Sequence, residues 1–116
     1  MPLNARIEKL PEGRAVVVLD GPMTLGSSLK LADTQIQTVI ADGATRIVID
    51  LTGVDYVDSA GLGMLVFTYG SLNEKGGSLR LCGVAARVMS LLKLTKTDTF
   101  LAIDKDRDES VTALGL

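Results

Sequence analysis

The chain has 116 residues, with 12 Lys and Arg against 14 Asp and Glu, no His and one Cys. Its length fits one domain over residues 1–116, because single cores typically span roughly 100–200 residues. A net charge of −2 and an aromatic content of 3% argue against nucleic acid and anionic lipid as partners. The lack of His excludes Ser-His and Cys-His catalytic pairs, and one Cys supplies neither an intrachain disulfide nor a zinc cluster. No metal or other cofactor is therefore expected.

The sequence predicts neither a signal peptide nor a membrane-spanning segment. The N-terminal residues lack the apolar segment of a signal peptide. No apolar run approaches the roughly 20 residues that a membrane-spanning helix needs. We therefore expect a cytoplasmic protein with no membrane contact.

The predicted elements alternate between strands and helices. A mixed strand at residues 5–10 and a buried strand at 15–19 are joined by a short turn, which predicts an antiparallel hairpin. The remaining elements are a helix at about 28–42, a strand at 46–51, a helix at 61–75, a strand at 79–82, a helix at 84–94, a strand at 100–103 and a short helix at 108–114. This order predicts an α/β fold, with about four helices packed on a mostly parallel sheet that has one antiparallel strand.

One strand-to-helix junction, residues 50–63, is rich in small and polar side chains. In α/β sheets, binding sites gather at such junctions. The simplest interpretation is structural, with Asp58 capping the next helix and Ser59 in its first turn. A second interpretation is that Ser59 is itself modified, because a helix N-terminus accommodates a phosphate. Asp55 and Asp58 would oppose the added charge.

Two other interpretations of this junction fit less well. Val66 stands where a dinucleotide-binding fingerprint needs its third glycine, and the segment around Ser59 lacks the first glycine of a nucleophile elbow. No Lys or Arg lies between Gly53 and Glu74, so a bound phosphate would lack a cation from this segment. A small nucleotide-binding protein remains as an alternative.

The segment VDYVDSAGLGML (residues 54–65), preceded by a strand ending in Ile-Asp-Leu, resembles the signature of STAS-domain anti-sigma factor antagonists. The similarity continues through VLDG (18–21), LRLCGV (79–84) and LLKL (91–94), and so covers nearly the whole chain. The resemblance implies a single STAS-type domain that acts as a binding module and not as an enzyme.

The resemblance also implies partner switching in a bacterial cell. Ser59 matches a serine that is phosphorylated by an ATP-dependent serine kinase, which is also the anti-sigma factor. The unphosphorylated protein would bind this kinase and free a sigma factor, and a serine phosphatase would reset the switch. The alternative from another class is a structural subunit of a transporter or signalling scaffold in which Ser59 is never modified. A homodimer is left open.

The expected functional residues surround Ser59. Asp58 is expected to order the loop and position the Ser59 hydroxyl, and Gly61 and Gly63 to keep the approach to the backbone open. Thr24 stands where the family usually has an acidic residue, which bears on affinity for the partner. The residues expected to contact the partner are Asp55, Met23, Thr24, Met64 and Phe67, the last two because they lie off the predicted core stripe of their helix.

Overall fold

A five-stranded sheet forms the centre of the fold in this computed structural model, which describes residues 2–115. The strands are β1 (Asn4–Leu10), β2 (Arg14–Asp20), β3 (Arg46–Gly53), β4 (Ser78–Cys82) and β5 (Ala102–Asp104), and they lie side by side in chain order. The pair β1–β2 is antiparallel, and the other three pairs are parallel. The predicted mostly parallel sheet with one antiparallel strand is confirmed.

Four helices pack on this sheet: α1 (Ser27–Ala41), α2 (Ser59–Glu74), α3 (Ala86–Leu94) and α4 (Arg107–Leu114). Successive side chains of the central strands point to opposite faces. Val17 and Ile49 pack with α1, α2 and α3 on one face. Val48 and Cys82 pack with Leu114 of α4 on the other face. Burial raises the pKa of the Cys82 thiol to about 11, so this side chain stays protonated and serves packing.

Most element boundaries differ from the prediction by one or two residues, and α3 begins at Ala86 rather than at residue 84. Helix α2 begins at Ser59 rather than at residue 61, because Asp58 occupies the N-cap position and its side chain accepts from the Gly61 amide. Strand β5 begins at Ala102 rather than at residue 100, because a short 3₁₀ helix at Thr97–Thr99 occupies the chain just before it. The correction at α2 matters for function, because it places Ser59 at the first helical position.

Helix α4 is tied to the sheet by charged groups. Arg80 donates two hydrogen bonds to the Asp104 carboxylate, at 2.6 Å and 2.9 Å, and the Ser110 hydroxyl donates a third at 2.6 Å. The Arg80 guanidinium holds the pKa of Asp104 below its usual range. An ion pair between Arg107 and Glu8 links the same helix to β1. These contacts belong to the α4 face, and the opposite face carries the helices of the candidate site.

The parallel pairing of β2 and β3 brings their carboxyl ends to the same edge of the sheet. The Gly21 amide donates to the Gly53 carbonyl at 3.0 Å, which joins the two chain segments as they leave the sheet. Sites in α/β folds form at such edges.

No helix within residues 2–115 is long and apolar enough to cross a membrane.

Candidate functional site

Two connecting segments meet at the carboxyl ends of β2 and β3. The first, turn 21–26, leads into α1, and the second, loop 54–58, leads into α2. The Met23 amide donates to the Tyr56 carbonyl at 2.9 Å, and the Asp58 amide donates to the Met23 carbonyl at 3.1 Å. Turn 21–26 and loop 54–58 therefore pair as a short parallel bridge beyond the sheet.

The Asp58 carboxylate links these segments a second time. One oxygen, Oδ1, accepts from the Gly61 amide at 2.9 Å, and the other, Oδ2, accepts from the Leu25 amide at 2.9 Å. Hydrogen bonds to the charged form favour it, and the pKa of Asp58 is lowered, most by the bond from Leu25 and next by the bond from Gly61. One side chain thus caps α2 and holds turn 21–26 against it.

Ser59 follows this cap directly. It is exposed at the first position of α2, and within residues 2–115 its hydroxyl makes no hydrogen bond. A hydroxyl in this position is accessible to a modifying enzyme, while the cap beside it fixes the backbone that carries the side chain. Asp55, four residues before Ser59 on loop 54–58, is also exposed.

Gly61 and Gly63 have different surroundings. A Cβ atom on Gly61 would lie 2.3 Å from the Met23 carbonyl oxygen and 2.8 Å from the Met23 Cβ, whereas a Cβ atom on Gly63 would meet nothing within 4 Å. The expectation that both glycines keep the approach to the backbone open is therefore wrong for Gly61. Its missing side chain lets turn 21–26 pack against the first turn of α2.

The structure also corrects the expectation for two methionines. Met23 is 0% exposed and Met64 is 6% exposed, so neither offers its side chain to a partner as a surface group. The Met23 backbone is fixed by its bridge to Val57, and its side chain joins the core. Met64 lies on the buried stripe of α2, which also contains Gly61, Leu65, Thr68 and Leu72. The prediction that Met64 lies off the core stripe is therefore wrong.

A groove between α1 and α2, of about 320 Å³, begins beside Ser59 and is called the α1–α2 groove below. Phe67 and Leu25, which are 60% and 82% exposed, line it together with Gly63. Asp33 also lines the groove, and its Oδ1 is buried without a hydrogen-bond partner within residues 2–115. Phe67 was expected at the partner surface, but Leu25 was missed. An apolar residue in a glycine-rich turn directly before a helix was the available signal.

A second groove, of about 400 Å³, lies between loop 54–58 and α3 and is called the Ser59 groove below. Ser59, Asp58, Tyr56 and Arg87 are among the residues that line it. The guanidinium carbon of Arg87 lies 5.0 Å from the centroid of the Tyr56 ring, which is a cation–π distance. Sequence reasoning placed no cation here because Arg87 belongs to a distant helix that only the fold brings next to loop 54–58.

The STAS domain family model matches residues 5–110, so the chain belongs to the STAS domain family. This confirms the resemblance inferred from residues 54–65. One curated relative, an anti-sigma-B factor antagonist from Staphylococcus aureus, is 39% identical over 54 residues, which are 47% of this chain and 50% of the relative. The match thus spans about half the length of that relative. An anti-sigma F factor antagonist from Paenibacillus polymyxa is 26% identical over 113 residues, 97% of each chain.

Solved structures share the fold. An anti-sigma factor antagonist from Mycobacterium paratuberculosis superposes with a TM-score of 0.85 at 26% identity, covering 97% of this chain and 93% of that one. The antagonist SpoIIAA in its unphosphorylated form gives a TM-score of 0.81 at 18% identity, covering 97% and 98%. The phosphorylated form of SpoIIAA from Bacillus gives 0.75 at 17% identity, covering 95% and 98%.

The substitution Asp58→Asn separates the two hydrogen bonds of this carboxylate. The amide oxygen can still accept from the Gly61 N–H, but the amide nitrogen cannot accept from the Leu25 N–H. We expect the hydrogen-exchange protection of the Leu25 amide to fall in this variant while that of Gly61 persists, measured by NMR. Because folding lowers the pKa of Asp58, the contribution of this carboxylate to stability is complete above the ordinary pKa of an Asp side chain and is lost as the pH falls through the lowered folded pKa. Unchanged protection at Leu25 would show that the bond does not hold turn 21–26.

Gly61→Ala and Gly63→Ala form a matched pair on one helix. The first should destabilise the domain by about 1–3 kcal/mol, because the added methyl group collides with backbone that cannot move freely. The second should raise stability by up to about 1 kcal/mol, because alanine is the better helix former and meets open space. Urea unfolding followed by circular dichroism measures both. Equal effects of the two substitutions would contradict the close packing of Gly61 on Met23.

Proposed function

We propose that this protein is an anti-sigma factor antagonist whose binding to an anti-sigma factor serine kinase is switched by phosphorylation of Ser59. The observation that carries the proposal is the exposed hydroxyl of Ser59, held at the first position of α2 by the Asp58 cap. The names of the Staphylococcus and Paenibacillus relatives support the antagonist role. The existence of phosphorylated and unphosphorylated forms of SpoIIAA, which has the same fold, supports the switch.

In this proposal the protein acts in the cytoplasm as a substrate and a binding module. The unphosphorylated form binds the kinase and so frees a sigma factor. Phosphorylation of Ser59 by the bound kinase ends the association, and a serine phosphatase restores the hydroxyl. The protein itself needs no catalytic group for this cycle.

The kinase is proposed to dock along the α1–α2 groove. This groove is continuous with the Ser59 site, because Ala60 and Gly63, on the first turns of α2, form part of its wall. Leu25 and Phe67 offer exposed apolar surface, and such side chains serve as anchors when a partner desolvates them. The unpartnered Asp33 Oδ1 favours a hydrogen-bond donor on the partner, since an unsatisfied buried acceptor is costly. Thr24, half-buried in turn 21–26, supplies a neutral hydroxyl at the edge of this surface.

Phosphorylation should sharply weaken this association. A phosphoserine carries about −1.5 to −2 charge at neutral pH, and it would stand beside Asp55 and Asp58. Burying that charge in an interface shaped for a hydroxyl should cost about 2–5 kcal/mol, by analogy with unpaired interfacial charges. We expect the affinity for the kinase to fall by roughly 30-fold to several-thousand-fold, whereas Ser59→Ala binds constitutively.

Isothermal titration calorimetry of the wild-type, Ser59→Ala and phosphorylated proteins against the kinase from the same cell checks this. Intact-mass analysis after incubation with the kinase and ATP establishes the site, with Ser59→Ala as the unmodified control. Equal affinities of the three forms would rule out the switch and favour a structural subunit. Co-purification with membrane permease subunits in place of a kinase would favour the same alternative.

Phe67→Ala tests the groove without touching Ser59. The side chain is 60% exposed, and truncating an interface anchor typically weakens binding by at least about 1 kcal/mol, or roughly five-fold. Leu31→Ala is the matched control, since Leu31 is 61% exposed on α1 and does not line the groove. The kinase affinity should drop for Phe67→Ala and stay unchanged for Leu31→Ala. The reverse pattern would place the interface elsewhere.

A further inference from the structure

Arg87 occupies an unusual position for a cation. It lies in the first turn of α3, where the helix dipole favours anions, and no acidic residue accompanies it in that turn. Its side chain is directed over the Tyr56 ring on loop 54–58 and lines the Ser59 groove. Within residues 2–115, it is the one cationic side chain that lines this groove. An exposed arginine on a helix facing loop 54–58 thus stands beside the serine of the switch.

We propose that Arg87 is the intramolecular binding partner of the phosphate on Ser59. In the unphosphorylated protein the guanidinium rests on Tyr56, and in the phosphorylated protein it moves to the phosphate oxygens. The proposal rests on the phosphorylation of Ser59 put forward above and adds the residue that receives the new charge. It gives α3 a role in the switch, because Arg87 of this helix would bind the phosphate on Ser59.

The two positions of Arg87 differ in strength. A cation–π contact at an exposed ring is weak, whereas guanidinium–phosphate pairs are charge-assisted and often bidentate. Tyr56 is 42% exposed, so water already competes with its contact to Arg87. A dianion in the same groove therefore outcompetes the ring.

The other charged groups near Ser59 act in the opposite sense or from the other side. Asp55 and Asp58 on loop 54–58 repel a phosphate and raise its pKa. Lys30 and Asp33 of α1 line the α1–α2 groove and do not line the Ser59 groove. Arg87 is thus the side chain of the Ser59 groove that lowers the phosphate pKa, in addition to the dipole of α2, and its effect can be separated from both the dipole and the carboxylates by substitution.

The test uses full-length protein carrying genetically encoded phosphoserine at position 59, so no kinase is required. A pH titration followed by phosphorus NMR gives the second pKa of the phosphate, which is about 6 in the absence of perturbation. We expect this pKa to lie roughly 1 unit lower in the wild-type background than in Arg87→Gln. Arg87→Lys, which keeps the charge but loses the planar fork, should lie between them.

Lys93→Gln is the matched control. Lys93 is exposed on α3 and does not line the Ser59 groove, so its removal changes net charge by the same amount without removing the proposed contact. The pKa of the phosphate on residue 59 should be the same in Lys93→Gln as in the wild type. A shift in Lys93→Gln as large as that in Arg87→Gln would overturn the proposal, because it would reveal a general charge effect. Equal pKa values in the wild type and Arg87→Gln would overturn it as well.

The Tyr56 ring gives a second readout. On phosphorylation, its proton chemical shifts should move toward those of unphosphorylated Arg87→Gln, as the guanidinium leaves the ring. Ring shifts that ignore phosphorylation would contradict the proposed movement. Both NMR measurements are independent of kinase binding. Failure of the kinase to modify or release the protein would therefore reject the proposed function, while the Arg87 contact would be judged by its own result.

Discussion

The Asp58 carboxylate is the constraint on which the candidate site depends. Each of its oxygens accepts one backbone N–H, from Leu25 in turn 21–26 and from Gly61 in the first turn of α2. Both acceptors are thereby used within the protein, and the carboxylate is held ionised by the bonds that lower its pKa. The backbone of Ser59, the next residue, is therefore held in place, while its hydroxyl makes no hydrogen bond within residues 2–115. An exposed serine on a fixed backbone, with no internal partner for its hydroxyl within residues 2–115, fits the role proposed for it.

Gly61 completes this arrangement from the backbone side. The Asp58 bond draws turn 21–26 toward α2, and the approach ends with the Met23 carbonyl where a side chain on Gly61 would otherwise lie. The hydrogen bond and the missing Cβ both favour this contact, and the backbone hydrogen bonds of Met23 to loop 54–58 add to them. Two grooves lie near Ser59, the α1–α2 groove and the Ser59 groove. The first exposes Leu25 and Phe67, and the second contains Arg87 together with Ser59.

Local patterns predicted the sheet well because β2 and β3 contain apolar runs at 15–19 and 47–49, and the capping role of Asp58 followed from its place before a helix. Contacts between distant segments had no such signal. The bond from Asp58 to Leu25 spans 33 positions, and Arg87 reaches Tyr56 only because β3 and β4 are neighbours. The error at Met64 has a physical origin too. The predicted stripe followed the large apolar side chains of the helix, whereas in the structure Gly61 and Thr68 face the core and share the buried stripe with Met64.

The surroundings of Ser59 explain how one phosphate can disrupt a complex without disturbing the fold. In the free protein the charge would lie at a helix N-terminus, beside the proposed contact with Arg87, where an anion gains about 0.3–1 kcal/mol and the Asp58 repulsion is screened. In a complex the same charge would lose its water and face an interface built around a hydroxyl, at a cost of about 2–5 kcal/mol. The gain in the free protein and the cost in the complex both favour dissociation, so phosphorylation would lower the affinity by the sum of the two free energies. In the proposed switch, phosphorylation of the capped serine would therefore select between bound and free protein without a change of fold.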